Sequence, residues 1–155
     1  MIRIALVLVL SFAALLEAAP PAAVLTRSAS NLRHGAYPQE TDLTPANVGN
    51  LKLLYSVAIP GDRRGIESQP LVAPQVKLAE GSTHDLLVLS TMANDILAYD
   101  FADGKLLWKV NLGNPITGSK AIDFWTINDH WGILSTGVID PDTQTLYSGS
   151  HSITI

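Results

Sequence analysis

Ala98-Tyr99-Asp100-Phe101-Ala102-Asp103-Gly104-Lys105-Leu106-Leu107-Trp108 decides the fold of this chain. Ile96, Ala98 and Tyr99 close one β-run, Asp103-Gly104 supplies turn chemistry, and Leu106-Leu107-Trp108-Lys109-Val110 opens the next. Asp-Gly favours a hairpin because glycine reaches positive φ at little cost and the Asp side chain can bond the turn backbone. A Trp on such a strand is large enough to pack flat between its own sheet and a neighbouring one. The segment therefore reads as an antiparallel hairpin.

On either side of it the same pattern continues. Ser68–Ala73, introduced by Gln69-Pro70, is an apolar strand, and His84–Thr91 is a second. Leu86-Leu87-Val88-Leu89 is too continuously apolar for a sheet with one wet face. Asp95–Phe101 and Lys105–Leu112 follow, with the turn cluster Glu80-Gly81-Ser82-Thr83 earlier. Four short strands punctuated by turn residues fit one antiparallel propeller blade over residues 68–112. Ser135-Thr136-Gly137-Val138-Ile139-Asp140-Pro141 then echoes Ser68-Gln69-Pro70-Leu71-Val72-Ala73-Pro74, and Thr145–Ser150 echoes the second strand. A partial second blade is expected over 132–155, after an insertion near Gly113–Trp131, and an early strand over Leu51–Ile59, stopped by Pro60-Gly61.

The fold class is therefore all-β, an incomplete β-propeller of one full four-stranded blade plus part of a second. Residues 51–155 hold the partial propeller, and 19–50 a linker and irregular lead-in. Thr44-Pro45-Ala46-Asn47-Val48 suits one helical turn, with Thr44 as cap and Pro45 first. A ring closes with roughly four to eight blades, so the chain reads as the N-terminal fragment of a longer protein whose remaining blades are its partners. The alternative is a short chain that assembles through open sheet edges, at the risk of aggregation.

Residues 1–18 stand apart. Arg3 gives a positive start, Ile4–Leu16 is apolar, and Leu16-Glu17-Ala18 ends on a small residue, the layout of a signal peptide. The run is shorter than the roughly 20 residues of a spanning helix. Export to the periplasm is expected, with no transmembrane domain beyond the signal segment. A formal charge of −4, with ten basic residues in no long run, gives no support to nucleic-acid binding. Without cysteine there is no disulfide, cysteine zinc site, c-type haem attachment or thiol nucleophile.

The order A-x-D-x-x-x-G-K-x-x-W at Ala98–Trp108 resembles the tryptophan-docking motif of the pyrroloquinoline quinone (PQQ) repeat family of quinoprotein β-propellers. In that family the Trp stacks between blades, near the Ala and the Gly of another copy of the motif. Arg33-x-Gly, Glu40-Thr41, Leu43-Thr44-Pro45-Ala46-Asn47-Val48 and Leu51-Lys52 are similar to the segment that leads into such propellers, with Tyr55 standing where the family usually has Trp. The resemblance implies that Leu51–Ile59 completes the last blade of a closed ring.

Gly65-Ile66-Glu67-Ser68-Gln69-Pro70-Leu71-Val72 resembles the start of the first blade in PQQ-dependent alcohol dehydrogenases, which implies that Glu67 binds the quinone cofactor. Position agrees, since the inner end of a first strand faces the channel; the other reading is a solvated carboxylate beside Arg63 and Arg64. The vicinal cysteine pair and Asn-Arg-Gly stretch common in that family are missing, and Lys120–Trp125 and Asn128–Trp131 occupy the corresponding loop. The family's catalytic Asp and its calcium ligands fall later than Ile155, so no catalytic residue and no metal ligand is assigned. Asp140-Pro141-Asp142-Thr143-Gln144-Thr145 imitates a calcium loop but lacks its Gly and Glu, and reads as a hairpin turn. His34, His84, His130 and His151 are scattered and assigned to surface or packing; Asp123 and Asp129-His130 offer an acid–base pair without a nucleophile.

Two functions remain open. One is a periplasmic quinoprotein oxidoreductase acting on alcohols or sugars with PQQ and calcium, of which this fragment alone would be inactive. The other is a non-catalytic periplasmic propeller scaffold for protein binding or envelope assembly, favoured by the missing cysteine pair and the Gly132-Ile133-Leu134-Ser135-Thr136 segment.

Overall fold

The computed structural model describes residues 19–38, 40–60, 65–117 and 130–150. The expected signal segment (residues 1–18), Arg63 and Arg64, the Lys120–Trp125 and Asn128-Asp129 stretches, and His151 lie outside the described residues. Strands dominate, with two 3-10 turns at Arg27–Ala29 and Val48–Asn50. Among the described residues no helix is long and apolar enough to cross a membrane.

The centre is a four-stranded antiparallel sheet in sequence order: β1 (Leu71–Lys77), β2 (Thr83–Ser90), β3 (Asp95–Asp100) and β4 (Leu106–Asn111). Two short pairs follow, β5 (Ile116–Thr117) with β6 (His130–Trp131), and β7 (Val138–Asp140) with β8 (Thr145–Tyr147). The sheet thus spans the stretch expected to form one blade, and β7–β8 begins the second unit.

Each turn has a local cause. β2 reaches β3 through Thr91–Asn94, where the Thr91 hydroxyl accepts from the Ala93 and Asp95 amides and Asn94 takes φ +62°. β3 reaches β4 through Phe101–Gly104, where the Gly104 amide donates to Asp100 O and the Lys105 amide to Asp103 Oδ1. β1 runs past Pro74 instead of stopping at Ala73, because the register breaks between Ala73 and Val76. That bulge sits where proline offers no N–H to the ladder, and Asp85 Oδ1 caps it by accepting from the Gln75 amide and side chain.

Burial explains the continuous apolar run in β2, whose alternate residues face opposite ways. Leu71, Ala73, Leu86, Val88, Ile96 and Ala98 form one core with Ile133 and Ile139 of the second unit, joined by Trp108 and Leu146. Leu89, Leu97 and Tyr99 form a second core on the other face, covered by Val57, Ile59 and Ile66. Both faces are therefore dry.

Two expectations need correction. Leu51–Ile59 is not a strand: it joins no ladder among the described residues. It lies across the second core instead, with Tyr55, Val57 and Ile59 half-buried and Leu53 and Leu54 exposed. Side chains hold it there, the Tyr55 hydroxyl donating to Phe101 O and the Tyr99 hydroxyl to Ala58 O, each at 2.7 Å. Residues 19–30 are not a free linker either, since Val24 bridges to Val72 and Thr26 is buried. The expected turn at Thr44 does form: the Asn47 and Val48 amides donate to Thr44 O. Its N-terminal bond is reversed, with Asn47 Oδ1 accepting from the Thr44 amide.

Leu97→Ala should cost about 2–5 kcal/mol in denaturant unfolding, as expected for a side chain with no exposure. Val110→Ala, on the half-exposed edge strand, should stay within about 0.5 kcal/mol.

Candidate functional site

Glu67 lies in the irregular segment before β1 and is exposed. Its neighbour Ser68 is buried and donates its hydroxyl to Ser90 O at 2.9 Å, which fixes this segment against the end of β2. The same end of the sheet carries the Thr91–Asn94 turn and the Gly132-Ile133 segment. These pack without slack: a Cβ on Gly132 would fall 2.3 Å from Met92 O, and Met92, Asn94 and Ile133 are fully buried. The end that bears Glu67 is thus a floor of packed backbone with a carboxylate at its rim.

The two units meet at equivalent positions. Thr136, the counterpart of Gln69 in the sequence echo, accepts from the Gln69 amide at 2.9 Å. Between the first sheet and β7–β8 lies a cavity of about 580 Å³, lined by Leu86, Val88, Leu107, Trp108, Ile139 and Leu146. Trp108 stands opposite Ala98 in the ladder and is half-buried in this cavity wall. Leu107 shares that face because the β3–β4 register shifts between Ala98 and Tyr99, so that Tyr99 pairs with Leu106.

At the opposite end of the sheet, a polar chain escaped sequence reading. His84 Nδ1 lies 2.6 Å from Asp100 Oδ2, His84 Nε2 lies 3.0 Å from Ser82 Oγ, and the Ser82 hydroxyl donates to Glu80 Oε1 at 2.6 Å. Register brings it together. Leu86 pairs with Asp100, so His84, two residues earlier on the same face, is Asp100's diagonal neighbour. Sequence separation hid the pair, although Ser82 and His84 beside the β1–β2 turn offered a signal.

The hydroxyl–imidazole–carboxylate order invites comparison with a nucleophile, base and orienting acid. Here the Ser82 proton goes to Glu80, and the backbone around it is committed to the turn: Leu78 N donates to Ser82 O, and Gly81 N to Leu78 O. The chain pins the β1–β2 turn to the end of β3. The His84 hydrogen bond, helped by the Ala102 amide, holds the Asp100 carboxyl below the usual range against an opposing burial effect. The Ser82 hydroxyl likewise lowers Glu80. His84 is therefore a packing histidine with a defined partner.

Asp140–Thr145 is the hairpin turn expected, closing β7 on β8. Asp140 accepts from the Thr143 hydroxyl and the Asp142 amide, which lower its carboxyl. Among the described residues no group of three or more His, Asp or Glu stands together to hold a metal ion. Comparisons with protein-family models, with curated proteins and with solved structures returned no match to this chain.

A carboxyl lowered by folding adds stability that is present above its unfolded pKa and lost as pH falls through the folded value. Acid unfolding below about pH 4 should therefore weaken the chain in part through Asp100. Asp100→Asn should lower stability at pH 7 and flatten the acid limb of a stability–pH curve measured by denaturant melts. An acid limb unchanged by the substitution would remove Asp100 from this role.

Proposed function

We propose that the chain supplies the first sheets of an exported PQQ-repeat β-propeller whose ring is completed by further blades, and that Glu67 is its contribution to a cofactor site. The assembled protein on this reading is a quinoprotein oxidoreductase acting on alcohols or sugars, and these sheets alone are inactive.

One observation carries the propeller reading: an aromatic ring from the preceding segment lies on the glycine of the docking motif. A Cβ added to Gly104 would fall 2.6 Å from the Tyr55 ring, and Gly104 holds φ +72°. The ring that stands in the usual Trp position therefore rests on a surface only glycine provides. Trp108 in turn faces the second unit beside Ala98, as a ring passed forward to the next sheet would. An isolated hairpin would require neither ring.

PQQ with calcium accepts a hydride equivalent from an alcohol in such enzymes, and the protein supplies orientation and charge. Against that requirement the described residues offer the exposed Glu67 at the rim of the sheet and no complete cation donor set. They do not by themselves fit the quinone and its metal, so the remaining donors are assigned to other blades. The scaffold reading has its own support, because Gly132 packs against Met92 and Asn94 and Ile133 is buried in the first core.

Gly104→Ala should destabilise by more than the roughly 1 kcal/mol of a left-handed alanine, and the excess should shrink in a Tyr55→Ala background. Equal costs in both backgrounds would detach the ring from the glycine. For the activity, the complete propeller protein is titrated with PQQ and calcium while quinone absorbance and dye reduction are followed. A response weakened by Glu67→Ala supports the oxidoreductase; no response in the parent protein leaves the scaffold.

A further inference from the structure

The edge of β1 away from β2 is occupied by residues that precede the fold. Val24 N donates to Val72 O at 2.8 Å, and Val72 N returns a bond to Val24 O at 2.9 Å. One residue on, Leu25 O accepts from Ile139 N of β7 at 2.8 Å, and the Leu25 side chain packs on the core shared by both units. Thr26 is buried, and the Ser28 amide donates to Gln69 Oε1 at 3.0 Å. A short extended peptide therefore bridges the free edges of two successive units, with alternate groups engaging each.

The exit from this contact is strained. Ser28 and Ala29 hold φ +59° and +66°, left-handed values that non-glycine residues adopt at a cost of roughly 1–3 kcal/mol each. The contact also encloses the Thr26 hydroxyl without a hydrogen-bond partner among the described residues. Release of the segment relieves both penalties while leaving β1–β4 intact, since its bonds add to the sheet's edge and replace none within it.

We infer that the paired edges of β1 and β7 form a binding groove for an extended peptide with one aliphatic anchor, and that residues 23–28 occupy it reversibly in cis. The mode is strand addition: main-chain bonds to Val72 and Ile139 set the register, and a pocket for one aliphatic side chain, filled by Leu25, sets the preference. The segment competes with any peptide in trans at the high effective concentration of a tethered ligand, on the order of millimolar. This groove stands on contacts among described residues and does not depend on the quinone reading.

In the full chain, Val24→Pro with Leu25→Asp removes the Val24 donor and the side chain that fills the pocket. A fluorescent peptide of sequence Pro21–Ser30 should bind this variant at least tenfold more tightly than the unsubstituted chain by anisotropy. The same peptide with aspartate at its Leu25 position should not bind. Equal binding to both chains, or none to a folded variant, overturns the groove. Amide exchange in the unsubstituted chain gives an independent check that survives a variant that fails to fold. The Val72 and Ile139 amides should exchange together, well ahead of those of Val88 and Ala98. Exchange only with global unfolding makes the segment a fixed part of the core and overturns reversible occupancy.

Discussion

A sheet with two apolar faces cannot stand alone, and that constraint governs everything around β1–β4. Leu86 and Val88 point one way, Leu87 and Leu89 the other, so water must be kept from both. Burial is worth roughly 25 cal/mol per Å² of apolar surface, and a sheet covered on one side only would forgo about half of it. The chain meets the requirement with what precedes and follows: Tyr55–Ile59 and Ile66 on one face, Ile133 with β7–β8 on the other. Stacking a further sheet on each face is one continuous form of this solution.

Much of this was legible because β-structure writes its punctuation in the sequence. Asp103-Gly104 placed a turn, the Leu86–Leu89 run announced a sheet buried twice, and the likeness of Ser135–Pro141 to Ser68–Pro74 marked a second unit, which meets the first at Gln69 and Thr136. The misses share a cause, which is that pairing is not local. Leu51–Ile59 has the composition of a strand, but ladder membership depends on a neighbour and not on propensity; it became a cover instead. The first strand was expected to end at Ala73, but it continues past Pro74 because a distant carboxylate, Asp85, satisfies the amide that the bulge exposes. Ala19–Ser30 read as linker because it is rich in Ala, Pro and Ser, while the edge it docks on is set by β1 and β7.

The polar residues divide between the two ends of the sheet, and the division bears on function. At the end with the β1–β2 and β3–β4 turns, His84, Asp100, Ser82 and Glu80 satisfy one another and hold turns in place. Such a closed network stabilises geometry and leaves no group free for chemistry. At the other end Ser68, Thr91 and Asn94 are absorbed into packing, Asp95 is held by Lys109 and Asn111, and Glu67 is presented outward. Sequence reading selected that carboxylate by resemblance, and the structure leaves it exposed at the rim of a packed floor. His84 shows the converse: a histidine hydrogen-bonded on both ring nitrogens is positioned, not poised.

The edges of β1 and β7 complete the picture, because they are where a stacked architecture remains open. Faces are closed by neighbouring sheets, but the first strand of each unit keeps one row of amides and carbonyls that no strand of its own sheet can use. Leaving those groups unpaired invites association with other chains, and filling them permanently would remove a backbone surface of the core that can recognise a peptide. A tethered segment held by a few edge bonds, one aliphatic side chain and a strained exit does neither. It satisfies the edge while the groove is empty of other ligands, and its strain sets a low cost for giving way.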